Sequence, residues 1–156
     1  MKIRRAETAD VPRVMVLLSE VLEIHAAIRP DIFVPGTTKY TEEELAEKFK
    51  NDETPVYVAD IDGVVAGYVF CVVRERKSTG YMTRSKSLYI DDLCVDGGCR
   101  GKGIGKALFD FAVGEAKRLG CGSVTLAVWE GNDGAYSFYK KMGMKPKETI
   151  MEYIPE

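Results

Sequence analysis

The chain has one histidine and one tryptophan in 156 residues. Its four cysteines, Cys71, Cys94, Cys99 and Cys121, include no Cys-x-x-Cys pair. Zinc sites need closely spaced Cys and His, so no metal ligand is expected. The thiols read as small buried hydrophobes in a reducing compartment. No apolar run approaches the roughly 20 residues of a membrane span. The start, Met1-Lys2-Ile3-Arg4-Arg5, lacks the apolar stretch of a secretory signal. An excess of either charge is also missing: 22 basic against 24 acidic side chains gives a net charge of −2. That balance argues against a dedicated nucleic-acid binder. With no repeat, low-complexity tract or linker, the expectation is a single cytoplasmic domain, residues 1–156, with no membrane or nucleic-acid partner.

Chemistry is most visible in Arg100-Gly101-Lys102-Gly103-Ile104-Gly105-Lys106. The run follows an apolar strand pattern, Leu88 to Val95, and opens a helix pattern reaching about Leu119. Three glycines in five residues permit close backbone approach at a strand-to-helix turn. A helix N-terminus presents free N–H groups and partial positive charge, which suits a phosphate. Arg100, Lys102 and Lys106 add full charges, so the run reads as a pyrophosphate cradle. A P-loop is excluded, because Arg100 stands where its first glycine belongs and Ala107 where its hydroxyl belongs. The dinucleotide Gly-x-Gly-x-x-Gly fails as well, meeting Lys106 or Leu108 in place of its third glycine.

The rest of the chain alternates strand and helix patterns. Ile3–Ala6 reads as a strand, and Thr8 or Asp10 can cap a helix with Pro12 in its first turn. Val11, Val14, Leu18, Val21, Leu22 and His25 share a face of that helix. Arg29-Pro30-Asp31 breaks it, and Thr41 with Glu44 forms a capping box for a second helix carrying Leu45 and Phe49. Val56–Ile61 and Val64–Arg74 read as a hairpin about Asp62-Gly63, with Gly67 marking a bulge. After the glycine loop come a helix ending at Gly120, a strand Ser123–Trp129, and a short helix from Asn132 to Gly143. Glu148–Ile154 alternates like an edge strand. The order implies a mixed α/β fold around one sheet.

Three linked stretches resemble the GNAT superfamily of N-acetyltransferases. They are Tyr89-Ile90-Asp91-Asp92-Leu93-Cys94-Val95, the Arg-x-x-Gly-x-Gly of Arg100–Lys106, and Asn132…Ala135…Phe138-Tyr139 followed by Met142-Gly143-Met144. Met144 stands where the family usually has Phe. The resemblance implies a GNAT-like fold: a central, mostly antiparallel sheet of about seven strands with helices on both faces. Its fourth and fifth strands splay apart, and the pantetheine arm of acetyl-coenzyme A lies between them. Acetyl-CoA is then the co-substrate, and no metal is needed.

The resemblance also assigns residues. The backbone of Leu93, Cys94 and Val95 pairs with the pantetheine arm. Arg100, Gly101, Lys102, Gly103, Ile104, Gly105 and Lys106 hold the pyrophosphate. Asn132 contacts the arm or caps the helix beneath it, and both can be true. Tyr139 is the general acid that protonates the leaving thiolate, or otherwise a core aromatic; motif position favours the acid. Asp91 is the preferred base, directly or through water, with Asp92 in the acceptor site. On a regular strand the two point to opposite faces unless a bulge intervenes. His25, Arg29 and Phe33 fall in the segment that lines the family's acceptor pocket. His25 also reads as a half-buried helix residue, and Arg29 as one half of an ion pair with Asp31. Arg74, Arg76, Lys77, Arg84 and Lys86 suit either the coenzyme's 3′-phosphate or a solvated hairpin, and the hairpin is preferred.

The expected activity is acetyl transfer to a primary amine of a small metabolite, by direct attack in a ternary complex. The two acidic residues before the strand end resemble the diamine and polyamine acetyltransferases. The alternatives are transfer to a protein N-terminus or lysine, and a non-catalytic acyl-CoA-binding module. A tail strand that pairs across copies makes a homodimer a further expectation.

Overall fold

The Asp62-Gly63 turn closes the first hairpin with φ of 53° and 85°, the left-handed pair that matches strand twist in a two-residue loop. It joins strand β2, Val56–Ile61, to β3, Val64–Arg76. The computed structural model describes all residues, Met1–Glu156. Before the hairpin come β1 (Lys2–Arg5), helix α1 (Val11–Ile28) and helix α2 (Glu42–Phe49). After it come β4 (Ser85–Val95), α3 (Ile104–Arg118), β5 (Ser123–Leu126) and α4 (Asp133–Lys141). The strands form one sheet in sequence order, β1 through β4 antiparallel and β4 parallel to β5.

The sheet separates two apolar layers. On one face α1 and α2 bury Val14, Leu17, Leu18, Leu45 and Phe49 against Val56, Val58, Tyr68, Phe70 and Cys94. On the other, α3 buries Ile104, Leu108, Phe109 and Ala112 against Ala59, Val69, Cys71, Leu88 and Ile90. Phe111 packs at the margin of this layer. The second helix begins on the predicted capping box, with both Thr41 and Glu44 bonds formed. Asp10 stands at the start of α1 but does not cap it. Its carboxylate instead takes two bonds from the Arg4 guanidinium, at 2.7 and 2.9 Å, and one from the Glu7 N–H. Gly120 and Gly143 end α3 and α4 in the left-handed conformation. In each case the next residue's N–H donates five residues back, Cys121 to Ala116 and Met144 to Tyr139, which is the Schellman arrangement.

The sheet has five strands where about seven were expected. The Glu148–Ile154 pattern forms no strand, because its backbone finds no ladder partner. The strand expected over Ser123–Trp129 stops at Leu126, and that early stop creates the site.

Candidate active site

β4 runs for 11 residues, but β5 pairs only with Ser87–Ile90. Beyond Ile90 the two parallel strands part. Asp91–Val95 keep β3 on one side and have no strand on the other. The Asp96 N–H donates to the Ala66 carbonyl at 2.9 Å. Alternation along an antiparallel ladder then turns the backbone groups of Leu93 and Val95 away from β3, into the opening. The same parity turns Cys94 toward β3, opposite Tyr68. So Leu93 and Val95 offer a free edge, while Cys94, also expected to pair with the coenzyme, is spent on the sheet. Burial pushes the Cys94 thiol up to about 12, so it stays protonated and serves as core.

At the end of this edge stands the glycine loop. Asp96 braces it, accepting from the Gly98 N–H at 2.7 Å and pairing with Arg13 of α1. Gly101 and Gly103 have φ of 77° and 80°, which side chains adopt only with strain. Gly103 is the first flank of α3, and no side chain caps that end. The N–H groups of the first turn are therefore free for an anion, aided by the helix dipole. Arg100 and Lys102 are exposed beside them, whereas Lys106 pairs with Asp110 one turn on. A Cβ on Gly105 would come within 3.4 Å of the Phe138 ring, so this glycine lets α4 pack on the loop. A free strand edge leading to an uncapped, basic helix end fits a long amide-bearing arm that terminates in a pyrophosphate.

The basic hairpin is elsewhere. Arg76 pairs with Ser85 at the far end of β4, about 30 Å from Val95 at some 3.3 Å per residue. Arg74 lies over the Tyr89 ring at 3.4 Å, and Lys86 pairs with Glu75. These groups are a solvated hairpin and do not reach the loop.

The two carboxylates meet where regular alternation would separate them. Phe70 pairs with Asp92 and Cys71 with Ile90, so Asp91 is an extra residue in β4. This is a β-bulge, and it resets the faces. Ile90 lies in the α3 layer while Cys94, an even number of residues on, lies in the α1 layer. Asp91 and Asp92 consequently both reach the α1–α2 side. Asp91 accepts from Lys39 Nζ at 2.6 Å, and Asp92 accepts from the Tyr68 hydroxyl at 2.8 Å. Burial works against the Lys39 ammonium, but Asp91 more than offsets it and the pKa is raised. Burial pushes the Asp92 carboxyl up to about 6, against the bonds from Tyr68 and the charge of Lys39.

Tyr139 comes from α4, against Phe109 and Phe138. Burial, and secondarily the charge of Asp92, raises its phenol above the ordinary value. Its hydroxyl makes no hydrogen bond within the chain. Asn132 caps α4, accepting from the Ala135 N–H at 3.2 Å.

An aromatic cluster joins the end of α1 to the segments that follow it and β5. His25 packs on Phe33 with ring centroids 5.1 Å apart, and Phe33 meets the edge of Trp129 at 5.4 Å. Arg29 lies over Trp129 at 5.8 Å while binding Asp31 through two bonds and Glu152 at 3.1 Å. Burial, with the charge of Lys39, lowers the His25 pKa. His25, Arg29 and Phe33 thus meet in one cluster around Trp129, and Asp31 is the ion-pair partner of Arg29. Sequence reasoning missed Lys39, Tyr68, Asp96 and Trp129. Trp129 alone carried a signal, as the only tryptophan, placed just before Asn132.

A mixed sheet opened between parallel strands, with an uncapped basic helix at the end of the opening, defines a coenzyme-binding acyltransferase architecture. The chain belongs to the acetyltransferase (GNAT) family, whose model matches residues 19–144. It is 32% identical over 105 residues to the uncharacterised N-acetyltransferase MJ1207 of Methanocaldococcus jannaschii, covering 67% of this chain and 45% of that protein. The chain spans about half the length of the first curated relatives it matches. The glucosamine 6-phosphate N-acetyltransferase of Arabidopsis thaliana is 28% identical over 96% of this chain and 93% of its own. The crystal structure of a tetramutant of the BH1408 protein of Bacillus halodurans superposes with a TM-score of 0.94. It has 28% identity and covers 99% of this chain and 100% of that one.

Proposed function

We propose that residues 1–156 act as one acetyl-CoA-dependent N-acetyltransferase domain for a primary amine of a small metabolite. The observation that carries this is the unpaired β4 edge at Leu93 and Val95, which leads to the uncapped N-terminus of α3. The similarity to a glucosamine 6-phosphate N-acetyltransferase over nearly the whole chain supports a small acceptor.

Leu93 and Val95 extend their free backbone groups to the pantetheine amides of the co-substrate. Gly101–Lys106 hold its pyrophosphate, with Arg100 and Lys102 supplying charge. An N–H at the bulged strand end polarises the thioester carbonyl, a contribution that typically reaches about 10²–10³ in rate. The acceptor enters beneath the Phe33–Trp129 mouth. Of the two carboxylates, Asp92 suits the base, because a carboxyl titrating near 6 is mostly ionised at neutral pH yet still holds a proton well. Asp91 is engaged by Lys39 and holds positive charge at the same place. The amine attacks directly. Tyr139, whose raised pKa keeps it protonated, donates to the departing thiolate. A diamine or polyamine is the favoured small acceptor, its second ammonium taking the place of Lys39 on Asp91. The proposed setting is a cytoplasmic homodimer.

The test is an amine panel with acetyl-CoA, following thiol release. Turnover of one or more small amines is expected. A peptide acceptor outpacing every small amine transfers the reading to protein acetylation. Coenzyme binding with no turnover on any amine leaves only the binding module.

A further inference from the structure

The carboxylates of the site already hold a primary amine of the chain's own. Lys39 Nζ donates to Asp91 at 2.6 Å, and the charges of both Asp91 and Asp92 act on it. The charge of Asp92 also reaches the Tyr139 phenol. An amine, the carboxyl suited to be its base and the proposed acid are therefore gathered in one place. Local contacts build the seat of Lys39. Tyr40, the next residue, stacks on Phe70 with ring centroids 5.9 Å and planes 7° apart, and Phe70 faces Asp92 across the ladder. The Thr38 hydroxyl donates to the Tyr40 carbonyl at 2.9 Å, which fixes the backbone on either side of Lys39. The ammonium itself lies 5.6 Å from the centre of the Tyr40 ring. Its side chain is 46% exposed, and its four-carbon stem is flexible.

We propose that Lys39 is an internal acceptor: the domain acetylates it on Nζ from its own acetyl-CoA, and this frees Asp91 for the second ammonium of a small amine. The inference rests on the acetyl-transfer reading of this site. In the step, an Nζ proton passes to Asp92 and the Nζ lone pair attacks the thioester carbonyl carbon. The C–N bond forms, the C–S bond breaks, and the sulfur leaves with a proton from Tyr139. The products are the Nζ-acetylated side chain and coenzyme A, with one proton released on balance. Acetylation removes the charge of a lysine, so its ion pair with Asp91 ends and the carboxylate is open to an incoming ammonium. Lys48 supplies the contrast. Its ammonium lies over the same Tyr40 ring, at 5.3 Å. Burial lowers its pKa, whereas Asp91 raises that of Lys39 against burial. Uncatalysed acetylation needs a free amine and so favours Lys48. A base held beside the amine reverses that order in favour of Lys39.

The experiment incubates the full chain with acetyl-CoA alone and maps acetylated peptides by mass spectrometry, beside the small-amine panel. Lys39→Arg and Asp92→Asn run in parallel, and circular dichroism checks that both are folded. The expected label is on Lys39 ahead of Lys48, at a rate independent of protein concentration. Asp92→Asn should slow it by roughly 10²-fold, and Lys39→Arg should remove it. Calorimetry adds a readout without the coenzyme: diaminobutane should bind Lys39→Gln about two- to fivefold more tightly than the full chain, the scale of one exposed ion pair. Turnover of small amines with Lys39 unlabelled overturns this proposal and leaves the acetyl-transfer reading standing. Label on Lys48 first, or at a rate untouched by Asp92→Asn, overturns it in favour of uncatalysed acetylation. A rate that grows with protein concentration overturns it in favour of transfer between copies. Equal diaminobutane affinities overturn the release of Asp91. Neither label nor turnover on any amine overturns the proposal and the reading beneath it together.

Discussion

Asp92 and Tyr139 are opposite solutions to burial. The carboxyl is charged at a cost, and the phenol avoids charge. Unfolded, Asp92 titrates near 3.8, and folded near 6. The native state therefore binds more protons between these values, and stability attributable to this group falls as pH rises through the window. Asp92→Asn keeps an acceptor for Tyr68 and removes the buried charge. It should stabilise the protein at pH 8 by up to the order of 3 kcal/mol, with no gain below pH 4. Urea denaturation at the two pH values measures this; an equal effect at both would show that the carboxyl carries no such penalty. The same substitution should abolish the acid limb near pH 6 in kcat/KM and lower activity by roughly 10²-fold or more. Tyr139→Phe keeps the ring against Phe109 and Phe138. It should cost about 10²-fold in kcat with unchanged coenzyme affinity. Full turnover, with chemistry shown to be rate-limiting, would return Tyr139 to a packing role.

At the scale of elements, two strand contacts and one helix end make the site. Gly67 in β3 lies so near β4 that an added Cβ would stand 2.6 Å from the Cys94 carbonyl oxygen and 3.2 Å from Leu108. Gly67→Ala must push β3 from β4 just where the free edge begins. A loss of about 1–3 kcal/mol is expected, read as a lower denaturation midpoint; an unaltered midpoint would mean the strands absorb the methyl. Gly103 has open space around it, and only its φ of 80° resists a side chain. Gly103→Val should therefore leave the fold largely intact but distort the N–H cradle. Its signature is loss of coenzyme binding in calorimetry, and retained affinity would place the pyrophosphate elsewhere.

For the whole molecule, coenzyme binding is linked to unfolding. A ligand at 100 times its Kd stabilises the folded state by about 2.7 kcal/mol, and for a chain of this size that raises Tm by roughly 5–10 °C. Acetyl-CoA is expected to give this shift in a thermal melt, and ATP or NAD alone is not. Stabilisation by ATP or NAD without acetyl-CoA would overturn the reading of the glycine loop.

Much of this was written locally. The Asp62-Gly63 turn, the Thr41–Glu44 box, the Gly120 and Gly143 stops and the glycine loop each depend on a few adjacent residues whose backbone preferences act at short range. So did the choice between cradles, because spacing alone ruled out the P-loop and the dinucleotide turn. The sequence by itself determined the elements, their order and the candidate cradle. The tertiary structure decided which backbone groups are free and which side chains meet. The β4 bulge at Asp91 exists only in register with β3, and it alone puts Asp91 and Asp92 on one side. The parting of β4 from β5 depends on where β5 stops. Lys39 and Tyr68 reach Asp91 and Asp92 from distant segments, Trp129 meets Phe33 and Arg29 from another, and no local pattern records such contacts. The tail pattern predicted a strand that this chain does not form, because a strand needs a partner edge and alternation specifies only its own side of the pair.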